Sequence, residues 1–505
     1  MTPRPVATDA FPTATSRAQA ETEAVLLKHI AAPDIQQDPV LDKTSHMQFL
    51  VRNLVQGFPS RYISQDASQP WLLFWTIQSF SSLQVALDPA NKQRVIDKVM
   101  KWQHPDGGFG GGPGQAAHLL PTYASVCTLA VVGRSGTGGG WDQIDRAAIY
   151  KFFMSLKQND GSFLVAHHSE VDVRGIYCLL VVATLLDILT PELVEGTAEF
   201  IASCQTYEGG FASASHPSYS LGGELLPHGP RPPLGEAHGG YTFCALASWV
   251  LLQPYLASIA NDSRPKPAIN IDSLLRWLVH MQGIDIELGG FKGRTNKLVD
   301  GCYSWWCGGA FSLLEALGVG GLQNAVSEEV PIDSGTPEGV WDDVDEGLLN
   351  RHALQEYVLS AGQHPAGGLR DKPPKNADAY HTHYCLSGLS SAQHHVFPSK
   401  LRRSQVEEAW EATDSHNDAM RKRCFSEILS WTEEEGGSHI IGGQNNRVNA
   451  THPVTNLTMT HTEQFVSYFY KQKVPARILR KKPTTSPASA PGPGTKDAPA
   501  ATTTS

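Results

Sequence analysis

The sequence predicts an all-α protein built from about six helical hairpins. Three observations carry that reading. A Gln-to-Gly-Gly-Phe pattern recurs along the chain, stretches with helical apolar spacing flank it, and alternating β-branched runs with Asn-Gly turns are scarce. Such hairpins can stack as an open solenoid or close into a ring, an α/α toroid with a central cavity. Periodicity alone fits both.

The pattern appears as "WQHPDGGFGGG" from Trp102, "LKQNDGSF" from Leu156, "CQTYEGGF" from Cys204, "MQGIDIELGGF" from Met281 and "GQHPAGGL" from Gly362. Each follows a helical stretch such as "IDSLLRWLVHMQ", and most lead into another, such as "GAFSLLEALG". Glycine permits positive φ where the first helix ends, and the aromatic plugs the junction. The glutamines, at 103, 158, 205, 282 and 363, spread apart along the chain because segments near 216–235, 327–347 and 398–420 interrupt the repeat. Those insertions should be surface loops. Residues 1–20 and 474–505 are poor in large apolar residues and rich in Pro, Ala, Ser and Thr, so they are expected to be disordered. The organisation is therefore a polar, partly disordered extension over 1–44, the helical domain over 45–473, and a low-complexity tail over 474–505.

Bulk properties exclude several classes of function. The formal charge of −10 argues against nucleic acid as a partner, and the one short basic run, "KQKVPARILRKK", reads as a solvated tail. No apolar run reaches transmembrane length, the N-terminus has no apolar signal core, and the final "ATTTS" is no lipidation box. Eight cysteines lie without regular spacing, several in apolar runs such as "YCLLVVATLL", as free buried thiols do. A reducing, cytoplasmic compartment is expected.

Two stretches carry chemistry. "VDGCYSWWCGG", from Val299, sets Asp300 two residues before Cys302, and "DAYHTHYCLSG" holds His381. Zn²⁺ accepts carboxylate, thiolate and imidazole, and a catalytic site keeps three protein ligands with one position open. The bland alternative is that Asp300 caps a helix and Cys302 is a buried thiol. Both stretches follow Gly-rich turns, however, and in a ring successive hairpin ends converge on one rim. Asp378, three residues before His381, could orient its ring.

"GGFKGRTNKLVD" adds Arg294 and Lys297, "EAHGGYTF" adds His238, and Tyr303 follows the metal candidates. Together these suit a polyanion, most simply a diphosphate, and its departure as a leaving group. Taken singly, the two cations would also suit a solvated helix start. Trp71, Phe74, Trp75, Tyr123, Tyr177, Tyr241, Trp305 and Trp306, with Arg174, are the further candidates, many of the aromatics lying immediately after Gly-rich turns. They form either core or the lining of an apolar cavity.

The stretches "GGFGGGPGQAAHLLPTYA", "EVDVRGIYC", "GEAHGGYTFC", "GRTNKLVDGCYSWW" and "YHTHYCLSGLS" are specific. Through them the chain resembles the β subunits of the zinc-dependent protein prenyltransferases, over roughly 45–395 with a weaker trace to about 470. The resemblance implies a closed, six-hairpin α/α barrel. It implies that Asp300, Cys302 and His381 bind one Zn²⁺ per β subunit, and that His238, Arg294, Lys297 and Tyr303 handle the isoprenoid diphosphate. Trp71, Tyr123, Tyr177, Tyr241 and Trp306 would line the isoprenoid tunnel. Trp71, Trp75 and Tyr380 would meet the acceptor peptide, with Arg174 near the cavity floor. An α subunit is the implied partner.

Within the family, Trp71, Tyr177 and Asp371 are similar to the farnesyl type, Asp371 as a Mg²⁺ ligand. The implied activity is transfer of farnesyl from farnesyl diphosphate to the cysteine of a C-terminal CaaX box through a Zn-bound thiolate. Departures are Phe74, "WWC" and the long insertions. The rivals are a geranylgeranyltransferase type I β subunit, a class II terpene cyclase and a non-catalytic scaffold. A cyclase needs a D-x-D-D motif, for which the nearest match is "DVDE" at Asp343.

Overall fold

The computed structural model describes residues 4–30, 39–224, 226, 231–260, 266–320, 347–434 and 438–477. After α1 (Ala14–Ile30), outer and inner helices alternate. α2 (Lys43–Val51) leads to α3 (Gln69–Ser82), α4 (Pro89–Met100) to α5 (Leu119–Val132), and α6 (Arg146–Leu156) to α7 (Val173–Leu185). The short α8 (Pro191–Val194) and α9 (Thr197–Ser203) lead to α10 (Gly239–Leu251). Next, α11 (Gln253–Ser258) and α12 (Ile271–Val279) lead to α13 (Tyr303–Trp306) and α14 (Ala310–Ala316), and α15 (Arg351–Glu356) leads to α16 (Ala379–Gln393). Composition sorts the two sets. "VRGIYCLLVVATL" of α7 is buried on nearly every side, so it belongs inside, whereas α4 buries only Val95, Ile96 and Val99 along one stripe.

The ring closes. α3 packs on α5, α5 on α7, α7 on α10, α10 on α13, α13 on α16, and α16 back on α3. Backbone amides at the inner-helix starts donate to the next hairpin in turn: Gln69 to Gly111 O, Leu119 to Val165 O, Val173 to Ser213 O, Gly239 to Gly293 O and Gly301 to Asp371 O, at 2.7–3.1 Å. The Ala379 amide completes the circuit on Tyr62 Oη at 3.1 Å. These amides have no partner within their own helix, so the circuit satisfies groups that burial would otherwise penalise. The fold is an α/α toroid, not an open solenoid.

The recurring glutamines explain the period. Gln205 Nε2 donates to Asn270 O at 2.9 Å while its Oε1 accepts the Asn270 amide at 2.8 Å, clamping the start of the next outer helix. Gln282 holds Asn350 in the same manner, and Gln103 accepts the Asp145 amide while donating to Gln143 O. Gln363 holds Asp42 and Val40, joining the last outer helix to the first. Gln158 instead turns back onto Leu156 O. Glycine is required at the turn for space as well as conformation. Gly209 has φ +111°, and a Cβ there would stand 2.1 Å from Ser273 O. Phe109, Phe163, Phe211 and Phe291 are fully buried at the junctions.

Two expectations are corrected. Residues 14–20, read as part of a disordered tail, belong to α1. Its start is capped reciprocally by Thr13 and Ser16, and its Leu26 is fully buried. The 398–420 segment, expected to be a surface loop, is a loop only over 409–417; 400–408 and 418–420 are helical. β1 (Val396–Pro398), α17 (Lys400–Glu408), α18 (Asp418–Leu429) and β2 (Trp431–Glu433) form one unit there, the strands antiparallel with Phe397 opposite Thr432. Ser399 caps α17, and Val406 supplies its one buried aliphatic anchor. Most of the 327–347 insertion, including Asp343, and the 478–505 tail lie outside the described residues.

The segment 448–458 closes the far end of the ring. Tyr123 and Tyr177 donate their hydroxyls to Thr455 O and Val454 O, each at 2.9 Å, and Asn456 bonds Ser387 and His383. α19 (Met459–Tyr470) then packs against α5 and α7. Among the described residues no helix is long and apolar enough to cross a membrane.

Candidate metal centre and cationic pocket

Inner-helix N-termini share one rim, and the chemistry collects there. Asp300 precedes α13, whose cap position is Cys302, and its Oδ1 accepts the Cys302 amide at 2.9 Å. Asp378 caps α16 and accepts the His381 amide at 2.8 Å. The carboxylate, thiol and imidazole of Asp300, Cys302 and His381 lie within 4.8 Å of one another. They are the only such cluster of metal-ligating groups among the described residues.

Asp378 Oδ2 lies 2.7 Å from His381 Nδ1 and can only accept, so Nδ1 carries a proton and Nε2 faces the cluster. Nε2 in turn lies 3.3 Å from Asp300 Oδ1. Two acceptors at that distance repel unless a cation lies between them. Burial works against a charged His381, but the hydrogen bonds and charges of Asp300 and Asp378 outweigh it and push the pKa up to about 10. The site is thus built for positive charge, supplied by a proton or by a metal. Burial, then the Asp300 charge, raises the Cys302 thiol well above its usual range, so this thiol needs a cation to ionise. The donor set fits Zn²⁺.

Beside the cluster, Arg294, Lys297, Asp300, Tyr303 and Lys372 line a pocket of about 370 Å³. Arg294 is partly neutralised by Glu236 at 2.6 Å. Lys297 has no salt-bridge partner among the described residues. His238 caps α10: its Nδ1 accepts the Gly240 amide at 3.0 Å, so Nε2 carries the proton toward Tyr303 Oη at 3.1 Å. Burial, then Arg294 and Arg174, lowers His238 to about 4. It is neutral at physiological pH and leaves the Tyr303 hydroxyl proton free to donate. Asp371 borders the cluster: its carbonyl accepts the Gly301 amide, and its carboxylate pairs with Lys372. Burial, then the Asp300 charge, raises its pKa.

Six of the aromatic candidates, joined by Phe243 and Tyr384, form a closed circuit inside the ring, whereas Tyr241 stands against His238 at a centroid distance of 4.8 Å. Successive centroids run Trp71–Tyr123 (5.4 Å), Tyr123–Tyr177 (5.5 Å), Tyr177–Phe243 (5.9 Å), Phe243–Trp306 (5.4 Å) and Trp306–Tyr384 (4.4 Å). Tyr384–Tyr380 (4.8 Å), Tyr380–Trp75 (5.2 Å) and Trp75–Trp71 (5.6 Å) complete it. Tyr123, Tyr177 and Tyr384 are buried, while Trp71, Trp75, Tyr241, Trp306 and Tyr380 keep part of their surface in solvent.

The model of the prenyltransferase alpha-alpha toroid domain matches residues 41–457. A protein farnesyltransferase subunit beta from Pyricularia oryzae is 36% identical over 413 residues, covering 77% of this chain and 72% of that protein. The chain belongs to the protein farnesyltransferase β-subunit family. A second member, from Pisum sativum, is 38% identical over 66% of this chain and 80% of its own, whereas geranylgeranyl transferase subunits match at 26%. A Candida albicans protein geranylgeranyltransferase-I, solved with GGPP, shares the fold. Its TM-score is 0.55 at 18% identity, covering 85% of this chain and 99% of that one.

In this farnesyltransferase-family chain the residues singled out from the sequence converge, with one displacement. Arg174, expected near the cavity floor, stands at the rim in the first turn of α7. Asp172, the helix cap, holds its guanidinium with contacts of 2.6–3.0 Å, and nearly half of its side chain is exposed. Sequence reasoning missed Glu236 and Lys372. Glu236 lies two residues before His238, and Lys372 lies next to Asp371, so adjacency to named candidates was the available signal.

Proposed function

We propose that this chain is the catalytic β subunit of a protein farnesyltransferase, moving farnesyl from farnesyl diphosphate to the cysteine thiol of a C-terminal CaaX box. One observation carries the reading. Asp300 belongs both to the metal-ligating cluster and to the lining of the cationic pocket, so thiol activation and diphosphate departure would meet at one carboxylate.

Asp300, Cys302 and His381 would hold Zn²⁺, which would supply an electrophilic position that lowers the pKa of an incoming thiol. No side chain then needs to act as general base. Lys297, Arg294 and the Tyr303 hydroxyl would bind the diphosphate and take up charge as the C1–O bond breaks and the electron pair leaves on oxygen. His238, neutral, keeps Tyr303 aimed as a donor. The thiolate sulfur supplies the pair for the new S–C1 bond. Asp371 would hold Mg²⁺, which would supply positive charge to the diphosphate, a charge that its neighbour Lys372 partly provides. Trp71, Tyr123, Tyr177, Tyr241 and Trp306 would receive the isoprenoid chain, and Trp71, Trp75 and Tyr380 the end of the acceptor peptide. Arg174, at the rim, would meet polar groups of the peptide. The partner is an α subunit. Eight unpaired cysteines support a reducing compartment, the cytoplasm.

The test is co-expression with an α subunit and competition between farnesyl and geranylgeranyl diphosphate for a CaaX peptide. Preferred farnesyl transfer is expected. Preferred geranylgeranyl transfer would make the chain a type I β subunit, and no transfer by a folded heterodimer would refute the assignment.

A further inference from the structure

We propose that α1, in the N-terminal extension, is a wall of the lipid diphosphate pocket, and that Thr15 and Ala18 control how tightly the diphosphate is held. This rests on the pocket's role in Proposed function. The cations Arg294, Lys297 and Lys372, with the neutral Tyr303, make up one part of the lining, and the remainder includes Ala14, Thr15 and Ala18, all from the first two turns of α1.

α1 is no loose cover. Gln19 Nε2 donates to Glu23 Oε1 at 2.9 Å and to Glu287 Oε1 at 3.1 Å. Glu287 is fully buried, accepts the Ile284 amide and pairs with Lys292 at 3.1 Å. Lys292 opens the Gly293–Asp300 stretch that carries both Arg294 and Lys297, so a continuous polar chain ties α1 to the cationic segment. At its other end Leu26 packs into the cluster of Leu41, Phe49, Leu50 and Tyr357. The position of the wall is therefore fixed.

Two consequences follow from size and charge. Alanine at 18 leaves the pocket open, and an indole there would occupy much of its 370 Å³. Thr15 lines the same pocket as Lys297, which lacks an ion-pair partner among the described residues. A charge introduced at 15 therefore acts on a bound diphosphate through partly screened Coulomb interaction, and its sign decides the direction.

The experiment uses the full chain with its α subunit and measures farnesyl diphosphate affinity by displacement of a fluorescent analogue, alongside the CaaX-peptide KM. Ala18→Trp should weaken lipid diphosphate binding about tenfold or more with peptide KM within about twofold. Thr15→Lys should tighten binding and Thr15→Asp weaken it, each about threefold, both effects shrinking in high salt. Inorganic diphosphate should follow the same order as a competitor, and uncharged farnesol should not. Should Ala18→Trp fail to fold, the Thr15 pair decides alone. Equal affinities for Thr15→Lys and Thr15→Asp in proteins that melt like the parent would overturn the inference. A parent unable to bind farnesyl diphosphate would instead remove the functional reading beneath it.

Discussion

His381 Nε2 and Asp300 Oδ1 stand 3.3 Å apart, and Asp378 grips the other side of the same imidazole at 2.7 Å. A carboxylate that fixes a ligand's tautomer typically raises metal affinity 10–100-fold. Asp378→Ala should therefore lower zinc affinity by about 10–100-fold in a chelator titration; parental affinity would mean that Asp378 merely caps α16. The residue types of the cluster were legible in the sequence because carboxylate, thiol and imidazole are scarce together at Gly-rich helix starts. The electrostatic detail was not. Glu236 neutralises Arg294 from 58 positions away, and His238 is neutral because burial and two arginines act on it. Neither relation leaves a local pattern.

At the scale of elements, the repeat turn and the closing segment determine the shape of the interior. Gly209 combines a positive φ with a neighbouring carbonyl that leaves no room for a methyl group. Gly209→Ala should cost about 3 kcal/mol or more, read as a lowered urea midpoint, whereas a cost within about 0.5 kcal/mol would show the turn to be plastic.

The 448–458 segment makes a pH prediction. His383 is fully buried and accepts from Asn456 Nδ2 at 3.0 Å, and burial lowers its pKa to about 3. The unfolded chain takes up this proton near pH 6.5, well before the folded one. Its stabilisation is thus complete above about pH 6.5 and is lost as pH falls toward about 3. Removing one such proton flattens the slope by about 1.4 kcal/mol per pH unit. His383→Gln should flatten the stability profile of the parent between about pH 6 and 4, and parallel profiles would contradict the assignment. The repeat was legible because its Gln and Gly-Gly-Phe act locally. The helix at 400–408 was not, since "KLRRSQVEE" buries almost no aliphatic surface and is held by tertiary contacts.

For the whole molecule, closure converts a linear repeat into a ring, and closure depends on contacts between the first and last hairpins: Gln363 with Asp42, Tyr62 with Ala379, and α16 with α3. Periodicity says nothing about such long-range pairings, which is why the sequence left solenoid and toroid open until family motifs favoured the ring. Inside the ring Trp71, Tyr123 and Tyr177 stack in a row, and the two tyrosine hydroxyls bond Thr455 O and Val454 O. Replacing the indole by Thr in Trp71→Thr should raise geranylgeranyl over farnesyl transfer about tenfold in direct competition, and an unchanged ratio would place the length limit elsewhere.

The central claim is that three side chains from consecutive hairpins share one metal at the mouth of this ring. Zinc content per heterodimer, measured by atomic absorption for the parent and for Cys302→Ala and His381→Ala of equal helical circular dichroism, tests it most directly. The account predicts about one zinc per β subunit in the parent and almost none in either variant. Equal zinc in all three would contradict it.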